Sequence, residues 1–420
     1  MIGTHVRPIW LTRPTPRRPL YINLDVNKTM IISDVGVDVP AMINSILSEI
    51  TYGIVDKTTG KWTIHTDGQV GGISYTEFLE NRTKSANPEE KDDYKKEEKV
   101  LKNTFTDIGQ PGNSRKKDHD SLLNILKIQP AELLNIAKTI LEKQTVESLD
   151  KELAVRPIGQ LKELAKSEDK DVKREAKKEL DSINGINKIF DTGYRFILPS
   201  IFNLIRWVVR ERPGSKFVIR TFGYDGPKIV RELNLFFKGE HPFEVAPINA
   251  DSPKVKEYIM TKRERGEYKR TDTEDTLTFT ESPLDGKYTE AVGAENIYKT
   301  INDIFKAGHS LIETRDDFEY WNAHKKEKDQ GNFGKLIYIN REKIKNDPLE
   351  PLPIFFDDNI MDDKAGIVDV RDIDKPSVII PFKEVRDIYA IKAEPYEAIR
   401  DPNYFITKIL KAEALLDVRQ

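Results

Sequence analysis

Three runs of apolar residues, each closed by polar groups, punctuate the chain. Tyr21-Ile22-Asn23-Leu24 closes on Asp25, Asn27 and Thr29. Phe217-Val218-Ile219 runs into Arg220-Thr221-Phe222-Gly223, and Pro353-Ile354-Phe355-Phe356 closes on Asp357-Asp358-Asn359. Runs without polar alternation suit strands covered on both faces. Leu336-Ile337-Tyr338-Ile339 and Ser377-Val378-Ile379-Ile380 are two further strand candidates. Between them the pattern turns helical. Ala41, Ile43, Ile46, Leu47 and Ile50 follow Pro40, a residue suited to a first turn, and Leu133, Leu134, Ile136, Ala137, Ile140 and Leu141 follow Pro130. Leu161, Leu164, Ala165, Val172, Ala176 and Leu180 continue the period, which returns over 196–209, 229–237 and 403–416. The stretch 239–293 reads as polar and strand-poor, with a hairpin around 276–280. Strands alternating with helices predict an α/β fold with a parallel sheet.

Composition adds one feature. At 420 residues with 33% charged side chains, the chain carries enough solvated surface for two domains or one domain with a large insertion. Residues 81–120 concentrate this charge and read as a solvated or mobile stretch. Lys and Arg at 67 against Asp and Glu at 70 give a net charge of −3, so the whole chain does not attract nucleic acid. A local basic group remains at Arg206, Arg210, Arg212, Lys216 and Arg220, where surface solvation accounts for the charges. Without cysteine there is no disulfide, thiolate zinc site, iron–sulfur cluster or cysteine nucleophile. The arginine- and proline-bearing start lacks the apolar run of a signal peptide, and no stretch approaches the ~18 apolar residues of a membrane span. The expectation is a cytoplasmic protein that does not engage a membrane.

In an open parallel sheet, ligands bind beyond the carboxyl ends of the strands. The three ends would bring together a carboxylate, a hydroxyl and an acidic pair. That set suits phosphoryl transfer: a carboxylate can accept the phosphoryl group, a hydroxyl can hold its oxygen, and acidic groups can hold Mg²⁺. In order and context, Asp25-Val26-Asn27-Lys28-Thr29, Arg220-Thr221-Phe222-Gly223 and Phe356-Asp357-Asp358 resemble the haloacid dehalogenase-like (HAD) hydrolases. The resemblance covers 20–35 and about 195–385. It implies a HAD-like core with a doubly wound parallel sheet at 1–35 and 195–420, with 36–194 as a large, mainly helical cap insertion.

The resemblance also implies roles. Asp25 would be the nucleophile, and Val26 or Asn27, with Asn27 the closer match, would lend a backbone carbonyl to Mg²⁺. Thr221 would hold the phosphoryl group, and Asp357 and Asp358 would hold the metal with Asp25. Lys335 is the choice for the family's lysine, with Lys325, Lys326 and Lys328 as competitors; for any one of them, surface solvation is the simpler account. Asn27 stands where the superfamily usually has its second aspartate. An amide cannot protonate a leaving group or deprotonate water, and losing general acid–base catalysis costs roughly 10² to 10⁴ in rate. P-type ATPases, with Thr there, form an aspartyl-phosphate without that acid. The implied function is a slow, phosphatase-like enzyme acting on a phosphorylated small molecule or phosphoprotein. The alternative is a silent binding or scaffold protein that meets a protein partner through the cap. End-processing of nucleic acid rests only on the basic group.

Other signals are weaker. An EF-hand loop starting at Asp25 would need Gly and Glu where Met30 and Gly36 stand. No glycine-rich phosphate loop, Gly-x-Ser-x-Gly elbow or sustained repeat occurs. The six histidines, at 5, 65, 119, 241, 309 and 324, show no metal spacing. Tyr75 to Leu79, after Gly71-Gly72, reads as packing before it reads as a substrate-facing edge.

Overall fold

A computed structural model describes residues 17–32, 38–65, 72–129, 131–132, 166, 192–223, 225–249, 252–261, 263–324, 333–362 and 366–419. Its centre is an eight-stranded sheet in the order β13-β11-β1-β5-β9-β6-β7-β8. The strands are β1 (Leu20–Asp25), β5 (Lys216–Thr221), β6 (Arg265–Arg270), β7 (Asp275–Phe279), β8 (Thr289–Val292), β9 (Leu311–Arg315), β11 (Leu352–Asp357) and β13 (Ala390–Lys392). From β13 to β6 all neighbours run parallel; β7 and β8 add antiparallel strands at one edge. The fold is therefore α/β with a mostly parallel sheet, as the uninterrupted apolar runs predict.

Both faces of β1 are covered. Leu20, Ile22 and Leu24 belong to the larger apolar cluster, which includes Ile201, Phe202 and Ile205 of helix Pro199–Glu211, Phe236 of helix Gly226–Phe237 and Phe405 of helix Tyr404–Arg419. Tyr21 and Val218 face the other way, towards Ile297, Ile304 and Phe305 of helix Ala294–Lys306. On that second face lies a separate parallel pair, β10 (Lys335–Ile339) and β12 (Val368–Asp372). Thus Leu336 to Ile339 forms a strand, though not one of the main sheet.

The first 130 residues contribute helix Val39–Ile50, an antiparallel sheet of β2 (Tyr52–Val55), β3 (Trp62–Ile64) and β4 (Ile73–Ser74), and helices Tyr75–Ser85, Lys91–Asn103 and Lys116–Leu126. Asp38 caps the first helix by accepting from Ala41 N at 2.8 Å, with Pro40 in the opening turn. Tyr75 is buried and stacks on Phe105, so it packs as expected. The apolar residues of these elements join the same cluster as β1.

Three expectations need correction. Residues 81–120 are solvated but not loose: parts of three helices cover just over half of the stretch, Arg82–Glu97 joins two of them, Lys116–Asp120 braces the third, and Phe105 anchors the turn between them. Charge density misled because spacing three or four residues apart lets such pairs support a helix. The 239–293 stretch holds β6, β7 and β8; alternation in β7, with Leu277 and Phe279 inward, was diluted by threonines. Residues 377–380 form no strand, only a bridge between Arg371 and Ile379, and Val378 is 56% exposed. The helical stripes expected over 133–141 and 161–180 lie, residue 166 excepted, outside the described residues.

A candidate acidic metal site

Strand register places the acids together. Leu24 pairs with Phe356, so the next residues, Asp25 and Asp357, leave neighbouring strands side by side. Strands lie about 4.8 Å apart, which brings two carboxylates into one small volume. Asp25, Asp357 and Asp358 each offer an oxygen within 4.8 Å of the others. Asn359 fixes the acidic turn: its backbone N–H donates to Asp357 Oδ1 at 2.9 Å, and its amide donates to Asp358 Oδ1 at 2.8 Å.

Lys335 enters from β10. Its backbone N–H donates to Ile367 O at 2.6 Å, and Gly334 before it has no room for a Cβ, which would fall 1.8 Å from that carbonyl. So close an approach requires glycine at 334. The ammonium bonds to Asp25 Oδ1 and, at 2.8 Å, to Asp357 Oδ2. Lys335 is 1% exposed, so the surface account fails for this lysine. Its competitors at 325, 326 and 328 lie outside the described residues.

Behind the site, Arg220 makes a two-pronged ion pair with Asp316 and donates to Leu336 O at 3.0 Å, tying β5 to β10. Its guanidinium also sits over Tyr268 and Phe355. Arg220 and Arg212 are buried, the latter against Glu413. Arg206 pairs with Glu244 and Lys216 donates to Ser310, both part-buried, so solvation accounts only for Arg210, which lies exposed beside Glu211.

Electrostatics follow from burial. Removal from water pushes the Asp25 carboxyl up to about 7; Lys335 opposes the shift and Asp357 adds to it. Burial, then Asp357 and Asp25, hold Asp358 well above the usual carboxylate range. Burial disfavours the Lys335 ammonium, but Asp25, Asp357 and Asp316 outweigh it and hold the group above its ordinary value. Three ionised carboxylates and one ammonium would leave two uncompensated negative charges (−3 + 1 = −2). An all-oxygen, net-negative cluster has the chemistry that suits a hard divalent cation.

The loop after β1 narrows the remaining donor. Val26 O accepts from Thr29, Met30 and Ile31 N–H groups at 3.4, 2.9 and 3.0 Å, which occupies its lone pairs. Asn27 is the other candidate, and its side-chain Oδ1 is shielded from solvent without a partner, as is Thr29 Oγ1. Thr221 ends β5, buried, and its Oγ1 accepts from Gly223 N at 2.9 Å. That bond caps its own turn and leaves the hydroxyl proton available to donate.

Sequence reasoning missed the tie between Arg220 and Asp316 and the anchoring role of Asn359. The run Asp357-Asp358-Asn359 carried a signal for the second; no local pattern could pair residues 220 and 316. Of the described histidines, His119 and His241 are buried and bonded, His309 and His324 approach Glu264 and Asp272, and His65 keeps a shielded Nδ1 without a partner. No family model, curated protein or solved structure matches this chain. Among the described residues, no helix is long and apolar enough to cross a membrane.

Proposed function

We propose that the chain is a HAD-like, Mg²⁺-dependent phosphoryl-transfer enzyme, phosphatase-like and slow, with Asp25 as nucleophile and 36–194 as its cap. The observation that carries the reading is the convergence of Asp25, Asp357 and Asp358 around one buried lysine bridging Asp25 and Asp357. Turn chemistry explains each acid singly but not their meeting from separate strands.

In this reading Asp25 attacks phosphorus. The bond from Asp25 oxygen to phosphorus forms while the bond to the leaving oxygen breaks, and that oxygen departs with the electron pair. Water then cleaves the aspartyl-phosphate, returning Asp25 and inorganic phosphate. Lys335 favours the charged form of Asp25 and offsets the incoming phosphate, and the Thr221 O–H donates to a phosphoryl oxygen. Mg²⁺ held by Asp25, Asp357, Asp358 and the Asn27 carbonyl would supply charge neutralisation for anion meeting anion. Asn27 can neither give nor take a proton, which limits the rate. The same amide favours the second reading, a silent scaffold that binds a phosphorylated ligand or a protein partner.

The test is phosphate release from a small aryl phosphate by the wild type, with Asp25→Asn and Asn27→Asp beside it. Release should need Mg²⁺ and vanish in Asp25→Asn. Asn27→Asp should raise turnover by a factor of about 10² or more. Turnover unchanged or lower in Asn27→Asp would count against the enzyme reading and favour the scaffold.

A further inference from the structure

An aromatic wall stands beside the acidic site. Phe222 directly follows Thr221, and the Lys335 ammonium lies 5.0 Å from the centre of its ring. Phe222 stacks on Trp321 at 5.5 Å and 27°, and meets Phe318 edge-on at 5.7 Å and 71°. Phe318 and Trp321 belong to helix Phe318–His324, which follows β9 and so lies at the same carboxyl edge of the sheet. The bond from Asp316 N to Thr221 O, 2.7 Å, ties the two segments together.

Two features of this wall are unsatisfied. Phe318 leaves 48% of its surface in water beside a cluster of buried charges. The Trp321 Nε1 donor is shielded from solvent and has no partner. A flat ring laid against Phe318 would cover the first, and an acceptor atom on that ring or its substituent suits the second.

We infer that the substrate of this site is an aryl phosphate monoester whose ring rests on Phe318 and Trp321 while its phosphoryl group meets Asp25. The inference rests on the phosphoryl-transfer reading and adds the substrate class. The chemistry of Asn27 points the same way. Without a proton from that residue, the leaving oxygen departs best when its conjugate acid is already acidic, and a phenol ionises near 10, far below an alkanol. The Asp25–phosphorus bond forms, the phosphorus–aryl oxygen bond breaks, and the phenolate leaves with the pair and takes its proton from solvent.

Calorimetric titration of the full chain in Mg²⁺ with benzylphosphonate and methylphosphonate separates ring recognition from leaving-group reactivity, because neither is hydrolysed. Benzylphosphonate should bind more tightly by about two- to tenfold, the range expected of ring pairing. Phe318→Ala and Trp321→Leu should erase that advantage while methylphosphonate binding stays within about twofold; Trp321→Phe should retain most of it. Methylphosphonate binding with no gain from the ring, or a gain that survives both truncations, overturns the aromatic wall alone. Binding of neither ligand overturns the phosphoryl reading and the inference with it. Benzylphosphonate bound equally with and without Mg²⁺ overturns the placement of its phosphoryl group at Asp25.

Discussion

Replacing Lys335 by Met removes the ammonium between Asp25 and Asp357 while keeping an unbranched side chain of similar reach. Removing one partner from a buried ion pair costs about 3–5 kcal/mol, because a charge is left without compensation. Here the loss depends on pH, since Asp25 can escape by taking a proton. In the wild type its carboxyl sits at about 7 when folded, above its ordinary 3.8. Between those values the folded state holds the extra proton, so the contribution of Asp25 to stability falls as pH rises and levels off above about 7. Lys335 is held above its ordinary value of 10.5, so its contribution is fully present below that pH and is lost only in stronger alkali. Without the ammonium the Asp25 carboxyl moves higher still, and the falling limb extends past neutrality. The gap between wild type and Lys335→Met should therefore widen from about pH 5.5 to about pH 8.5, reaching about 3 kcal/mol or more at the upper end. Urea unfolding followed by circular dichroism at both pH values measures it. A gap below about 1 kcal/mol at the higher pH, or one that narrows as pH rises, would refute the buried bridge.

Mg²⁺ affinity should rise with pH through about 7, with protons released on binding, because metal and proton compete for Asp25; calorimetry in buffers of different ionisation heat would register no such release if Asp25 were not a ligand. Asn359→Ala should weaken Mg²⁺ binding by about 10- to 100-fold by freeing Asp357 and Asp358 to turn, and unchanged affinity would remove Asn359 from the site. Arg220→Met should cost about 3–5 kcal/mol by stranding Asp316, whereas Arg210→Ala, whose pair with Glu211 is exposed, should stay within about 0.5 kcal/mol; comparable losses in thermal unfolding would contradict the difference in burial.

The local sequence determined the strands and where their polar ends fall. The apolar runs at 217–219 and 353–356, and the one at 21–24 with only Asn23 interrupting it, called for burial on both faces, and they formed β1, β5 and β11. The acids at their ends were legible for the same reason: a carboxylate closing an apolar run has to emerge at the sheet edge. Helix 199–211 and the last helix followed from a clear apolar period. Lys335 was legible as a candidate, but one lysine among many charged residues carries no sign of burial in its neighbours. Its place depends on β10 leaving the main sheet to pair with β12, and on Gly334 allowing a carbonyl 1.8 Å from where a Cβ would stand. Arg220 read as a surface charge because its compensating carboxylate, Asp316, is 96 residues away and becomes adjacent only when β5 and β9 pair. The aromatic wall likewise joins residues from the turns after two strands. Period and propensity act over a few residues, so they fix elements and their ends. Register, burial and the neutralisation of charge are decided between distant segments, and only the assembled sheet brings those together.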